Sequence, residues 1–427
     1  MATSSQTPES LPAPALSRLV SLDALRGFDM AWILGADSIV ISLAAVVPLL
    51  PLQFLAVQMQ HKSWEGFAFY DLIFPLFIFV AGVSIALAIP AIIRREGRAA
   101  AYRRILTRGI VLFLLGIFAN GGLAQEWPDI RLFGVLQRIA LAYTAAALAF
   151  CFLGPRRLAG LCAALLIGYW ALLAWIPIPN VPLTRAAMEE RYDAPAPSTL
   201  DNSAALRAWR MRHEAEVAVA LSAEPESVTG SYQPGLNVAN YIDFKYLPGR
   251  RYFDYWDPEG LLSTLPAIAA CLLGVCAGLQ LTRRDVEPRR QPILIAAAGA
   301  TLLGLGWLWD FQFPVIKNIW TSSFVLVAGG WSLLLLALFY HLVEVQGWRR
   351  WCQPLVWLGM NPILLYLSTG LLDYASIGIR VAGGDIHRTL DESLGPGTGR
   401  LFLHVVMFAA ALAFARFLHT RRIFLRV

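Results

Sequence analysis

The chain has 427 residues, of which 57% are hydrophobic and only 15% charged, well below the roughly 25% charged residues of ordinary soluble domains. That balance excludes a cytosolic enzyme, a disordered chain and a fibrous repeat. The net charge of +6 is the kind of excess that cytoplasmic loops of membrane proteins collect, so it calls for no nucleic acid. The fold class expected is all-α, a polytopic membrane helix bundle with about ten transmembrane helices. Residues 1–17, rich in Ser, Pro and Thr, read as a disordered cytoplasmic tail. They lack the basic stretch, short apolar core and small-residue cleavage site of a signal peptide. The rest, 18–427, reads as one transmembrane domain.

A crossing helix needs ~20 mostly apolar residues. On that ruler the spans fall at about 22–47, 68–92, 105–123, 132–153, 157–177, 260–281, 292–311, 320–343, 354–372 and 400–419. Arginines gather in alternating loops: Arg94 to Arg108, Arg156 and Arg157, Arg283 to Arg290, Arg349 and Arg350, and the end at Arg421, Arg422 and Arg426. This alternation puts both termini in the cytoplasm. Two polar outer loops follow, 178–258 and 373–400, and the first is too long for a plain connector. The five cysteines, Cys151, Cys162, Cys271, Cys276 and Cys352, lie in or beside apolar runs. None has metal-ligand spacing, so they read as packing residues and no metal is expected. No internal repeat is visible, which argues against a transporter of inverted halves.

Ionisable groups inside spans are costly and normally face a bundle interior or an aqueous cavity. The first span carries Asp23, Arg26, Asp29 and Asp37. Arg26 and Asp37, eleven residues apart, share a helix face about 16 Å apart along the axis. His61 lies just before the second span and Asp71 opens it; a histidine with an orienting carboxylate is the minimum equipment of a general base near neutral pH. Arg131, Gln137 and Arg138 sit at the fourth span, and polar side chains there need a ligand or another helix. Lys317 and Asn318 follow the seventh span. Lys317, Lys62 and Lys245 are the three lysines, all on the outer side, where lysine also serves as a snorkelling anchor. Asn361-Pro362 should break the ninth helix and expose carbonyls.

Seven segments, RLVSLDALRGFDM (18–30), HKSWEGFAFYDLIFPLFIFVAGVS (61–84), GVLQR (134–138), DPEGLLSTLP (257–266), PVIKNIWTSSF (314–324), GMNPILLY (359–366) and RRIF (421–424), together resemble the heparan-α-glucosaminide N-acetyltransferase family and its bacterial relatives. Their order matches the family's over nearly the whole membrane region. The resemblance implies acetyl transfer from cytoplasmic acetyl-CoA, as donor substrate, to an amino sugar across the membrane, with His61 of the H-x-x-W-x-G segment as catalytic histidine. It puts Asp37 where the animal enzyme has a functional asparagine. An amide donates a hydrogen bond, whereas an ionised carboxylate only accepts. It also implies a bacterial inner-membrane protein, lacking the leading span of the lysosomal enzyme, and a homodimer.

On this reading His61 takes the acceptor's proton, and Asp37 or Asp71 orients its ring. Arg26, Gln137, Arg138 and Asn361 bind acetyl-CoA, while Glu65, Lys317, Asn318, Asp257 and Glu259 bind the amino-sugar acceptor. Arg138, Gln137, Lys317 and Asn318 are also possible donors to a developing oxyanion. Transfer through an acetylated His61 is left open. Two other functions fit the same charges: O-acetylation of an envelope polysaccharide, and a sugar permease. Tolerance of a His61 substitution would mark the permease.

Overall fold

Apolar runs of this length fold as helices because a bilayer offers no water to their backbone amides and carbonyls, which must pair internally. The computed structural model describes residues 19–124, 126–192 and 203–425; the tail expected at 1–17 lies outside them. In chain order the helices are α1 (Val20–Val46), α2 (Leu50–Gln58), α3 (Phe69–Glu96), α4 (Arg98–Ala119), α5 (Val135–Phe152), α6 (Pro155–Trp175), α7 (Arg185–Tyr192), α8 (Ser203–Ala223) and α9 (Val238–Tyr246). There follow α10 (Thr264–Leu281), α11 (Gln291–Asp310), α12 (Ser322–Val345), α13 (Gln353–Gly359), α14 (Pro362–Leu371), α15 (Tyr374–Ala382), α16 (Asp385–Leu394) and α17 (Thr398–Thr420).

Among the described residues eight helices are long and apolar enough to cross a membrane: α1, α3, α5, α6, α10, α11, α12 and α17. The pair α13 and α14, bent by 76°, makes a ninth if it counts as one broken span. Its bend falls at Asn361-Pro362, as the sequence predicts, with Pro362 opening α14 where its missing N–H costs nothing. The span expected at 105–123 is α4. Arg98, Arg103, Arg104 and Arg108 crowd its first half, which sets it apart from the more apolar helices. It nevertheless runs antiparallel along α5: Gly109 lies against Thr144, and Gly116 against Gln137.

Close packing in an apolar solvent rests on small residues that let backbones meet. A Cβ at Gly82 of α3 would sit 2.0 Å from the carbonyl oxygen of Cys271, and one at Gly274 of α10 would sit 1.9 Å from that of Phe79. These two helices form the centre of the bundle. The first span is interrupted by a π-turn over Trp32–Ala36, where Gly35 has φ +108°, a left-handed conformation that glycine adopts at no steric cost. Between α6 and α10 the chain folds into α7, α8, α9 and a two-stranded antiparallel ribbon, β1 (Ile178–Pro179) with β2 (Ser227–Val228), in register Ile178 to Val228. This segment docks back on the loop before α5 through an Arg131–Gly249 bridge and an Arg250 N–H to Ile130 carbonyl bond of 3.1 Å.

Candidate active site

The loop between α2 and α3 is anchored by one buried carboxylate. Oδ2 of Asp71 accepts from the backbone N–H groups of Ala68 at 3.0 Å and Lys62 at 3.3 Å, which closes the first turn of α3. Oδ1 is left to face the histidine, 2.8 Å from Nδ1 of His61. A fully buried carboxylate with those donors is an acceptor, so Nδ1 of His61 carries the proton and Nε2 presents a lone pair. Half of the His61 side chain remains accessible, and its ring packs against Tyr70 with centroids 4.8 Å apart. Asp71 is therefore the carboxylate that orients the imidazole. Asp37 is placed elsewhere: it accepts from the Tyr70 hydroxyl and reaches His61 only through that ring.

The connection from α11 to α12 brings Lys317 to the same place. Gly66 N–H donates to the Val315 carbonyl at 2.8 Å, Glu65 and Ile316 form a β-bridge, and Asn318 Nδ2 donates to the Ser63 carbonyl at 3.1 Å. So held, Lys317 Nζ lies 2.8 Å from Nδ1 and 3.1 Å from Nε2 of His61, and 3.5 Å from Asp71 Oδ1. Burial holds the Lys317 ammonium below the usual lysine range, and the Asp71 carboxylate beside it opposes that shift.

His61, Lys317, Asn318, Tyr70, Arg131 and Glu259 share one cavity of about 520 Å³. One wall comes from the loop before α10. Arg131 donates to Asp257 at 2.8 and 3.0 Å and to Glu259 at 2.7 Å, with the Tyr252 ring over its guanidinium. Burial and the neighbouring Asp257 carboxylate push Glu259 above the ordinary carboxylate range. The cavity's other walls are apolar, from Phe77, Leu136, Ile139 and Ile363 among others. Those four residues also line a second cavity of about 270 Å³ containing Arg26, Ser84, Arg108 and Tyr143. Ser84, Arg108 and Tyr143 line in turn a third, of about 580 Å³, with Arg103 and Arg104. The three cavities thus adjoin from His61 at one end of α3 to the arginines at the other. From Asp71 to Arg94 this helix rises about 35 Å.

Of the residues expected at the site, His61, Asp71, Lys317, Asn318 and Glu259 come together, and Arg26 lines the far part of the passage. Gln137 and Arg138 do not reach any of the three cavities. Gln137 packs against Gly116, and Arg138 is fully buried over Trp320, donating to Ser263 and to the Gly260 carbonyl, where it secures the entry to α10. Asn361 bridges the chain end, donating to the Ile423 carbonyl at 2.8 Å and accepting from Leu425 N–H at 3.1 Å. Asp257 lies behind Glu259, its oxygens taken by Arg131 and by the N–H groups of Tyr252 and Glu259. Glu65 is exposed and serves through its backbone bridge.

Sequence reasoning missed Tyr70, Arg108, Tyr252 and Phe253 as site residues. Arg108 offered a signal: it stands about 15 Å into its helix, deeper than a loop arginine that only marks orientation.

The sequence model described as heparan-alpha-glucosaminide N-acetyltransferase, catalytic, matches residues 18–188, the stretch holding His61, Asp71 and Arg131. Heparan-alpha-glucosaminide N-acetyltransferase of Mus musculus is 26% identical over 360 residues, covering 74% of this chain and 49% of its own length. That of Homo sapiens is 26% identical over 358 residues, covering 72% and 48%. The chain spans about half the length of these curated relatives. The matched catalytic region, which holds the histidine paired to a buried carboxylate, and the two relatives aligned over 74% and 72% of the chain make this protein similar to the heparan-alpha-glucosaminide N-acetyltransferases.

Proposed function

We propose that this protein is a membrane acetyltransferase that moves the acetyl group of cytoplasmic acetyl-CoA to the amine of a glucosamine-type sugar on the outer side of a bacterial inner membrane. The observation that carries this reading is the row of adjoining cavities with His61 and Asp71 at one end and arginines at the other. A coenzyme A ester needs such a passage, with cations for its phosphates and an apolar channel for the long arm that carries the thioester. The residues fit. Arg103 and Arg104 line the outermost of these cavities, and Arg108 and Arg26 line the next. The Nε of Arg108 is buried with no hydrogen-bond partner among the described residues, as suits a group kept for an anion.

His61 supplies the chemistry. An amine attacks a carbonyl only when unprotonated, so Nε2 takes a proton from the acceptor nitrogen as it adds to the thioester carbonyl. Asp71 fixes the tautomer through Nδ1–H and stabilises the imidazolium that forms, as the third member of a triad does. Glu259, facing the same cavity beside Arg131, offers a carboxyl oxygen to the polar groups of the acceptor. Tyr252 and Phe253 add aromatic faces to the same wall.

The test is a purified, reconstituted protein given acetyl-CoA with a panel of amino sugars and matching alcohols, products read by mass spectrometry. Acetylated amine is expected from the wild type, with a loss of about 100-fold or more for His61→Ala. Sugar accumulation without acetyl-CoA consumption would establish the permease instead, and acetylated alcohols alone the O-acetyltransferase.

A further inference from the structure

One polar contact at the site has more donors than its acceptor can serve. Nδ1 of His61 lies 2.8 Å from Asp71 Oδ1 and also 2.8 Å from Lys317 Nζ. A ring nitrogen that gives its proton to Asp71 has no lone pair left for an ammonium. Nζ is nearly equidistant from the two ring nitrogens, at 2.8 and 3.1 Å, so it lies over the face of the imidazole and leaves the in-plane lone pair of Nε2 open. In the resting protein the ammonium thus sits beside both the general base and its orienting carboxylate, 3.5 Å from Asp71 Oδ1.

We propose that Lys317 is the acid of the reaction, the group that protonates the departing thiolate. This rests on the acetyltransferase reading above. The acceptor nitrogen bonds to the thioester carbonyl carbon while its N–H bond breaks, and Nε2 receives that proton. The C–S bond then breaks with its electron pair left on sulfur, and Nζ gives sulfur a proton. The proton held on Nε2 restores the Nζ ammonium. Amine and thioester have become amide and thiol, and nothing else is consumed.

Three features suit Lys317 to this task. Its loop is pinned to the histidine loop by the Gly66–Val315 hydrogen bond and the Glu65–Ile316 bridge, so Nζ cannot drift away from the imidazole. Asp71, His61 and Glu259 are the titratable groups that face it, two of them carboxylates that keep a cation in place. Burial also weakens its hold on its proton, bringing it nearer to a thiol in acidity than an exposed lysine is.

The experiment compares the wild type with Lys317→Met and Lys317→Arg on a series of acetyl thioesters of graded thiol acidity, acetyl-CoA among them. A thiolate that leaves easily needs no acid. Both variants are expected to lose about 100-fold or more on acetyl-CoA, with the deficit shrinking steadily as the thiol becomes more acidic. That dependence is measured within one preparation, so it does not vary with the fraction folded. An equal deficit on every thioester, or no deficit, overturns the proposal. A second readout needs no turnover: Lys62, Lys245 and Lys317 are the three lysines, and trace labelling with an amine-reactive reagent across pH reports each neutral amine by peptide mapping. Lys317 is expected to become reactive at lower pH than exposed Lys62, and labelling in parallel with Lys62 overturns the acid role. A wild type that consumes no acetyl-CoA would instead sink the acetyltransferase reading, leaving the labelling result to stand alone.

Discussion

Burial in the segment between α6 and α10 pushes the Asp243 carboxyl up to about 7 from an ordinary 3.8, although the N–H groups of Leu261 and Asp257 pull the other way. A folded state that holds its proton more tightly than the unfolded chain is favoured at low pH. The contribution of Asp243 is thus complete below about 3.8 and is lost as pH rises through about 7. Melting temperature in detergent should fall between pH 5 and pH 8, and Asp243→Asn should flatten that fall; an unchanged slope would refute the assignment. Single residues also show how far a sequence can be read. His61 and Asp71 were recognisable because ten residues of loop and first turn separate them, and local backbone closes that gap. Asp37 looked equivalent, yet it lies on the far side of Tyr70, and only packing between helices decides which carboxylate reaches the imidazole. The same applies to Arg138. Its expense inside a helix was evident, but its partners, Ser263 and the Gly260 carbonyl, are more than a hundred residues away.

At the scale of helices, α3 and α10 meet backbone to backbone through Gly82 and Gly274, where any side chain would displace a carbonyl. Gly82→Val should cost at least about 1–3 kcal/mol by overpacking, seen as a lowered melting temperature and loss of a single gel-filtration peak. Gly168→Ala in α6, whose Cβ would meet nothing within 4 Å, should leave both unchanged or raise stability slightly. Equal behaviour of the two variants would show that the α3–α10 contact tolerates separation. The eight crossing helices were legible because apolar length sets them, and the break at Asn361-Pro362 because proline cannot continue a helix, whereas α4 and the short helices within 178–258 and 373–400 were not legible on that ground. The π-turn in α1 was not legible. Gly35 permits it, but glycine is common in membrane helices, and the distortion follows from what the two halves of the span pack against.

Across the whole molecule the adjoining cavities make a further demand on Arg108, which lies between the cluster at Arg103 and Arg104 and the channel toward His61. Removing a charged hydrogen-bond donor from an anion costs about 1.5–3 kcal/mol. Arg108→Ala should therefore raise the KM for acetyl-CoA by roughly tenfold or more and leave the KM for the acceptor unchanged. A rise in both would place Arg108 outside the donor path. Composition and the spacing of apolar runs by themselves determined that this is a membrane bundle and where its crossing helices lie, because a bilayer accepts a backbone only when its polar groups pair within each helix. The arrangement of arginines implied which ends face the cytoplasm, and ordered motifs singled out the histidine. The tertiary structure alone decided which charged residues share a cavity and which merely hold the scaffold. Side chains separated by hundreds of residues, such as His61 and Lys317, meet through packing that no local pattern encodes.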